Sequence, residues 1–164
     1  MSQTPLALQR LSARTGELWV GHGAAEALRA AGFEIPDLLR FTTREDVVLA
    51  RTAARQFLWL GPSSTGAPQS VLRLAHPCVE FSLTGADARA LLAEVVSASM
   101  DECSADSWFA TRVCTLDAVV HRAGDDWRIV CAPAEAPWLG AALAERVLAR
   151  GGLVDLADTP RTHD

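Results

Sequence analysis

Apolar and polar residues alternate along the segment from Val79 to Thr84, with Val79, Phe81 and Leu83 as the apolar set. A period of two is typical of a β-strand with one buried and one exposed face. We therefore predict a half-buried strand here, with the intervening polar residues facing solvent.

A helix is predicted directly after this strand. The chain turns at Gly85, and either Thr84 or Gly85 can cap the helix. Asp87 falls in its first turn, where the positive end of the helix dipole favours a carboxylate. The apolar residues that form its predicted buried stripe are Ala86, Leu91, Leu92, Val95 and Val96.

The remaining C-terminal pattern predicts three strands and a helix. Alternation predicts strands over 108–116 and 118–121, and a turn at 124–126 leads to a returning strand over 127–131. A final helix begins near Ala136, with Pro137 in its tolerant first turn. The order strand, helix, three strands, helix predicts an α+β fold, with an antiparallel sheet and helices on one face in a split β-α-β arrangement.

Patterns in the first half predict a short strand over 17–20, a helix over 24–31 and a strand over 47–56. Residues 57–60 either continue that strand or form a second one. The Gly- and Pro-rich segment 61–68 is a loop that either separates two lobes or closes a hairpin, and the hairpin is favoured. This organisation predicts an N-terminal arm (1–15), one domain (16–152) and a C-terminal tail (153–164).

Composition excludes several classes of function. The 164 residues are 49% hydrophobic, enough for a sizeable core, and the net charge of −5 argues against a nucleic-acid partner. All 15 basic residues are arginines, which excludes a Schiff-base or P-loop lysine. The chain also lacks the ~20-residue apolar run of a membrane helix. Since no signal-peptide pattern is evident, we expect a cytoplasmic protein without membrane contact.

The sequence Gly21-His22-Gly23 lies between a predicted strand and a predicted helix, as a dinucleotide-binding loop does. The third glycine of that fingerprint is replaced by Glu26, whose carboxylate would repel a pyrophosphate. A flexible turn is therefore favoured over a nucleotide site.

Catalytic and metal-binding constellations are not evident in the sequence. The four histidines are isolated from one another, and no two cysteines have a metal-binding spacing; these residues are His22, His76, His121, His163, Cys78, Cys103, Cys114 and Cys131. In an extended strand, His76 and Cys78 would lie about 7 Å apart, too far for a thiol–imidazole hydrogen bond. The acidic pairs 101–102 and 125–126 are expected to be solvated. We predict no catalytic, cofactor-binding or metal-binding residue.

Five tryptophans are present in a chain without tyrosine. Most are expected in the core, but indole rings are also enriched at the centres of protein interfaces. Trp59 and Trp138 are the two predicted interface candidates.

The strand and helix at 79–93, with the sequence Thr-Gly-Ala-Asp-Ala-x-x-Leu-Leu at their junction, resemble the β-α step of the glycine-cleavage T-protein-like superfamily. Within that superfamily, the chain is most similar to the gamma subunit of heterotetrameric sarcosine oxidase. The segments that carry this likeness are 27–36, 56–62, 72–88, 108–122 and the helix from Ala136.

One of these segments departs from the family. Gamma subunits often carry Asp-x-Ser-His before the strand, where this chain has Arg73 and Ala75 but keeps His76.

The resemblance implies a single glycine-cleavage T-protein-like domain that is a non-catalytic structural subunit. Complexes of this type oxidatively demethylate an N-methyl amino acid and pass the one-carbon unit to tetrahydrofolate. It also implies alpha, beta and delta partner subunits. In that family alpha binds NAD and tetrahydrofolate, beta carries FAD and FMN, delta holds zinc, and gamma holds none of these.

A stand-alone folate-binding one-carbon transfer protein is the alternative. Folate-binding T-proteins are about twice this length, so half of the folate shell would have to come from a second copy of the chain.

Overall fold

A computed structural model describes residues 4–11, 13–62 and 70–159. The strands in chain order are β1 (Ala7–Leu11), β2 (Gly16–Val20), β3 (Phe41–Arg44), β4 (Val47–Ala53), β5 (Gln56–Leu60), β6 (Leu72–Ala75), β7 (Val79–Thr84), β8 (Trp108–Val113), β9 (Leu116–Ala123), β10 (Asp126–Cys131) and β11 (Leu153–Thr159). The α-helices are α1 (Ala24–Ala30), α2 (Ala88–Val95) and α3 (Ala136–Ala149), and Met100–Glu102 forms one turn of 3-10 helix.

The chain folds as two compact units, whereas the sequence predicts one domain over 16–152. Unit 1 comprises Met1–Ala13, Cys78–Ala105 and Phe109–Asp164, and unit 2 comprises Arg14–Pro77 with Asp106–Trp108. The division arises because each unit buries a separate hydrophobic cluster of its own.

Unit 1 contains a six-stranded sheet in the order β11-β1-β7-β10-β9-β8. All its registered pairs are antiparallel except β1 with β11, which run parallel. Helices α2 and α3 pack on one face of this sheet, where their buried residues share one core with alternate strand residues such as Phe81 and Ile129. The predicted α+β class, with an antiparallel sheet and helices on one face, is confirmed.

The packing of α3 depends on Gly140. A Cβ atom at this position would lie 3.1 Å from Cε1 of Phe81, so the missing side chain lets the helix approach β7 closely. Leu139, Leu143 and Val147 extend the buried face of α3 along the same core.

The strands nearest to the two ends of the described chain, β1 and β11, belong to the unit 1 sheet. The sequence predicts an arm over 1–15 and a tail over 153–164, but β1 lies between β11 and β7. The arm and tail form strands because β1 pairs with segments more than 70 residues away, and its own short sequence pattern does not reveal these partners. Residues 1–3, 12 and 160–164 lie outside the described residues.

The strand β7 is buried on both faces, so the prediction of a half-buried strand is wrong. Glu80 is only 2% exposed and Ser82 only 3%. On the face away from the helices, Glu80 lies 3.8 Å from Arg128 of the neighbouring strand β10, a cross-strand partner that alternation alone does not reveal. The helix after it begins at Ala88, and its N-cap is Asp87 instead of the predicted Thr84 or Gly85, so Asp87 precedes the first turn. Ala86, predicted in the buried stripe, is exposed.

Unit 2 is a five-stranded antiparallel sheet in the order β3-β4-β5-β2-β6. Helix α1 buries Ala24 and Leu28 in a core with Trp19, Phe57 and other apolar residues of the sheet. The predicted segment 47–60 forms two strands, since β4 and β5 pair with each other. Of the predicted loop 61–68, residues 63–68 lie outside the described residues.

Candidate functional site

The two predicted interface tryptophans lie in different environments. Trp59 is 7% exposed, and its ring stacks on Trp19 with centroids 5.9 Å apart. Its Nε1 donates a hydrogen bond to the Pro62 carbonyl oxygen at 2.8 Å. Trp59 is therefore a core residue of unit 2, and little of its ring is available to a partner protein. Trp138, in the first turn of α3, is 74% exposed and remains a candidate interface residue.

The Gly21-His22-Gly23 segment is a turn tied to the β4–β5 connection. The Gly21 N–H donates to the Arg55 carbonyl oxygen at 3.1 Å, and the His22 ring nitrogen Nε2 lies 2.6 Å from Arg55 Nη1. The helix after it has only seven residues and carries Glu26 in its first turn. This arrangement favours the turn and gives no support to a phosphate cradle.

The cysteines are placed for packing. All four are free thiols, with Cys78 and Cys131 buried. Burial, together with the Glu135 carboxylate, raises the pKa of Cys131 from 9.0 to about 11, and burial also raises the pKa of Cys114. A thiol that stays protonated at neutral pH is a poor nucleophile. His76 is exposed at the end of unit 2, and His163 lies outside the described residues.

Metal ligands do not converge in the part of the chain that the structure describes, where no group of three or more His, Cys, Asp or Glu side chains could hold an ion. In each of the two acidic pairs, one aspartate forms an ion pair with an arginine. Asp101 accepts from Arg89 at 3.1 Å, and Asp125 lies 3.6 Å from Arg122, both in exposed positions.

The best-organised polar cluster of unit 2 joins β2 to β6. Glu17, 6% exposed, accepts from Arg73 Nη2 at 2.8 Å and from Arg73 Nε at 3.2 Å. The Trp19 Nε1 donates to the same carboxylate at 3.1 Å, and the Arg73 guanidinium lies 5.4 Å above the Trp19 ring. A bidentate pair capped by an indole donor compensates the burial of the carboxylate. We call this set the Glu17–Arg73 cluster.

An open cleft of about 480 Å³ adjoins this cluster, lined by Thr15, Gly16, Glu17, Arg73, Leu74 and Ala75. Local sequence patterns do not predict the cluster, because Glu17 and Arg73 are 56 residues apart and lie on different strands. The available signal was Glu17, a charged residue among the small and apolar residues of β2. These contacts hold β2 to β6, because the Glu17 carboxylate on β2 accepts two hydrogen bonds from Arg73 on β6.

A second polar cluster lies in the unit 1 sheet, on the face opposite α2 and α3. Ser82, Arg128 and His121 are direct neighbours across β7, β10 and β9. Arg128 lies 3.8 Å from Glu80 and 3.3 Å from Asp126, and His121 is 1% exposed. The Arg128 guanidinium compensates the carboxylates of Glu80 and Asp126, so these charges stabilise the pairing of the strands.

No known protein-family model matches the sequence, and no curated protein matches it by sequence. Solved structures do match. A chain of the heterotetrameric sarcosine oxidase from Corynebacterium sp. U-96, in complex with pyrrole 2-carboxylate, superposes with a TM-score of 0.70 at 16% identity, over 85% of this chain and 84% of that one. The glycine cleavage system aminomethyltransferase T from Bartonella henselae superposes with a TM-score of 0.66 at 19% identity, over 94% of this chain.

The chain has the glycine-cleavage T-protein-like fold. It spans about half the length of the aminomethyltransferase, since the match covers 48% of that protein. No helix among the described residues is long and apolar enough to cross a membrane, and the longest, α3, has 14 residues.

Proposed function

We propose that this chain is a non-catalytic structural subunit, of the gamma type, in a cytoplasmic heterotetrameric flavoenzyme of the sarcosine oxidase type. The observation that carries the proposal is the match over 85% of this chain and 84% of a chain from a heterotetrameric sarcosine oxidase. A second observation supports it: the Glu17–Arg73 cluster and the sheet row around Arg128 use their charges to hold strands together.

In this proposal the chemistry belongs to alpha, beta and delta partner subunits. The complex oxidatively demethylates an N-methyl amino acid and passes the one-carbon unit to tetrahydrofolate. FAD, FMN, NAD, tetrahydrofolate and zinc are held by those partners, and this chain contributes contact surface.

Affinity purification of the tagged full-length chain from its own host tests the proposal. We expect a flavoprotein to co-elute in fixed stoichiometry, with flavin absorbance and N-methyl amino acid oxidation in the same fraction. A chain that elutes alone, monodisperse and folded, would contradict the proposal.

The match to the aminomethyltransferase over 94% of this chain favours a stand-alone folate-binding protein as the second candidate. Titration of tetrahydrofolate into the purified chain, followed by tryptophan fluorescence, separates the two. Saturable binding would favour the second candidate.

A further inference from the structure

The outer face of α3 carries apolar residues at a regular spacing. Trp138 is 74% exposed and Leu148 is 59% exposed, and Ala141 and Glu145 are exposed between them. We call these four residues the α3 stripe. The opposite face of the helix, with Leu139 and Leu143 at 0% exposure, already supplies the contact with the unit 1 core.

The spacing of the α3 stripe is the spacing of a helix-pairing seam. Its steps of three, four and three residues repeat the a and d positions of a heptad, which face a partner helix. A large apolar residue at each end and the small Ala141 between them leave room for a helix to approach closely. Exposed Trp and Leu on one seam mark an interaction surface more strongly than scattered apolar residues do.

Glu145 is the one charged residue of the stripe, and nearby cations point elsewhere. Arg146 donates to the Ala142 carbonyl oxygen at 2.8 Å, and Arg150 forms an ion pair with Glu94. Within 4–11, 13–62 and 70–159, no ion pair involves Glu145. A partner that covers the stripe must therefore supply the positive charge that compensates this carboxylate.

A second copy of the chain does not meet this requirement. Parallel two-fold pairing of α3 would place Glu145 directly opposite its own image. Antiparallel pairing centred near Leu143 would bring the two Glu145 carboxylates within about one helical turn, roughly 5–6 Å along the seam. Like charges at a closing interface oppose association, so the stripe disfavours self-pairing.

We propose that the α3 stripe docks an amphipathic helix of a different subunit, which packs aliphatic residues between Trp138 and Leu148 and presents a lysine or arginine to Glu145. This inference rests on the proposed function, because it names the surface through which the chain joins its complex.

The test uses the complex purified from the host through the tagged chain. We expect Glu145→Arg, and separately the double variant Trp138→Ala/Leu148→Ala, to reduce the recovered flavoprotein at least about tenfold, since a hot-spot loss of about 1.4 kcal/mol or more corresponds to that factor. Glu34→Arg and Leu72→Ala, at exposed positions of unit 2, are the matched controls and should leave recovery unchanged. Far-UV circular dichroism and thermal unfolding of each isolated variant should match the parent chain.

A photo-crosslinking residue, p-benzoylphenylalanine in place of Trp138, identifies the occupant in living cells. A crosslink to another subunit of the co-purifying complex supports the inference. A crosslink to a second copy of this chain, or no crosslink at all, overturns it. If the flavoprotein co-purifies but the α3 variants do not weaken its recovery, the inference fails and the proposed function stands; if the unchanged chain recovers no flavoprotein, both fail.

Discussion

At the scale of single residues, the turn between β8 and β9 has two successive non-glycine residues with positive φ. Cys114 and Thr115 have φ values of 51° and 73°, in the left-handed region that β-branched residues rarely occupy. We expect Thr115→Gly to raise the free energy of unfolding by about 1 kcal/mol, because the left-handed conformation costs an L-residue roughly 1–2 kcal/mol and glycine nothing comparable. Urea denaturation of the isolated chain measures the change.

The β9–β10 turn provides the reciprocal control. Gly124 has a φ of 63°, and a Cβ atom there would meet nothing within 4 Å. Gly124→Ala should therefore lower stability by about 1 kcal/mol through strain alone. If both substitutions changed stability in the same direction, the strain argument would be wrong.

The buried thiol of Cys131 makes the stability of the folded chain depend on pH in the alkaline range. The pKa of Cys131 rises from 9.0 to about 11 on folding, mainly because burial disfavours the thiolate. The folded state therefore holds this proton more tightly, so its contribution to stability is complete below pH 9 and is lost as the pH rises towards 11. We expect the free energy of unfolding to fall through this window, with a smaller slope in Cys131→Val. Equal slopes in the two proteins would refute the assignment.

The charged contacts at this scale could not be read from the sequence. Glu17 and Arg73 meet only because β2 and β6 are neighbours in unit 2, and Ser82, Arg128 and His121 meet only because three strands align in register. Trp59 and Trp138 looked equivalent as interface candidates, yet one is 7% exposed and the other 74%. Tertiary packing, and not local pattern, separates them.

At the scale of elements, strong local periodicity predicted well. The strand at β7, the helix after it, the β9–β10 hairpin and α3 all follow from spacing and turn residues within a few positions. The pattern failed for β1 and β11, whose pairing with each other and with β7 joins the two ends of the chain. Such edge and near-edge strands depend on partners that a local window does not contain.

The close approach of α3 to β7 gives a prediction at this scale. We expect Gly140→Val to destabilise the chain by about 1–3 kcal/mol, because its side chain would overlap the Phe81 ring, 3.1 Å from where a Cβ atom would lie. Ala141→Val, one residue on and exposed, is the matched control and should cost only the small difference in helix propensity. Thermal unfolding of both variants measures the difference. Because valine forms helix better than glycine, propensity alone would stabilise Gly140→Val, so a Gly140→Val chain as stable as the parent would contradict the packing argument.

At the scale of the whole molecule, most of unit 2, Arg14–Pro77, lies in the sequence between β1 and β7 of unit 1. β1 and β7 are antiparallel partners in which Arg10 lies opposite Phe81, so the end of β1 and the start of β7 lie about 5 Å apart. A short turn can bridge that distance. We expect a chain that joins Ala13 to Cys78 through Asn-Gly, without residues 14–77, to retain the unit 1 sheet with α2 and α3. The measurement is far-UV circular dichroism together with a cooperative urea transition. A shortened chain that showed helix content but no cooperative unfolding would mean that the unit 1 core needs more than its own hydrophobic cluster, and the two-unit description of the fold would have to be abandoned.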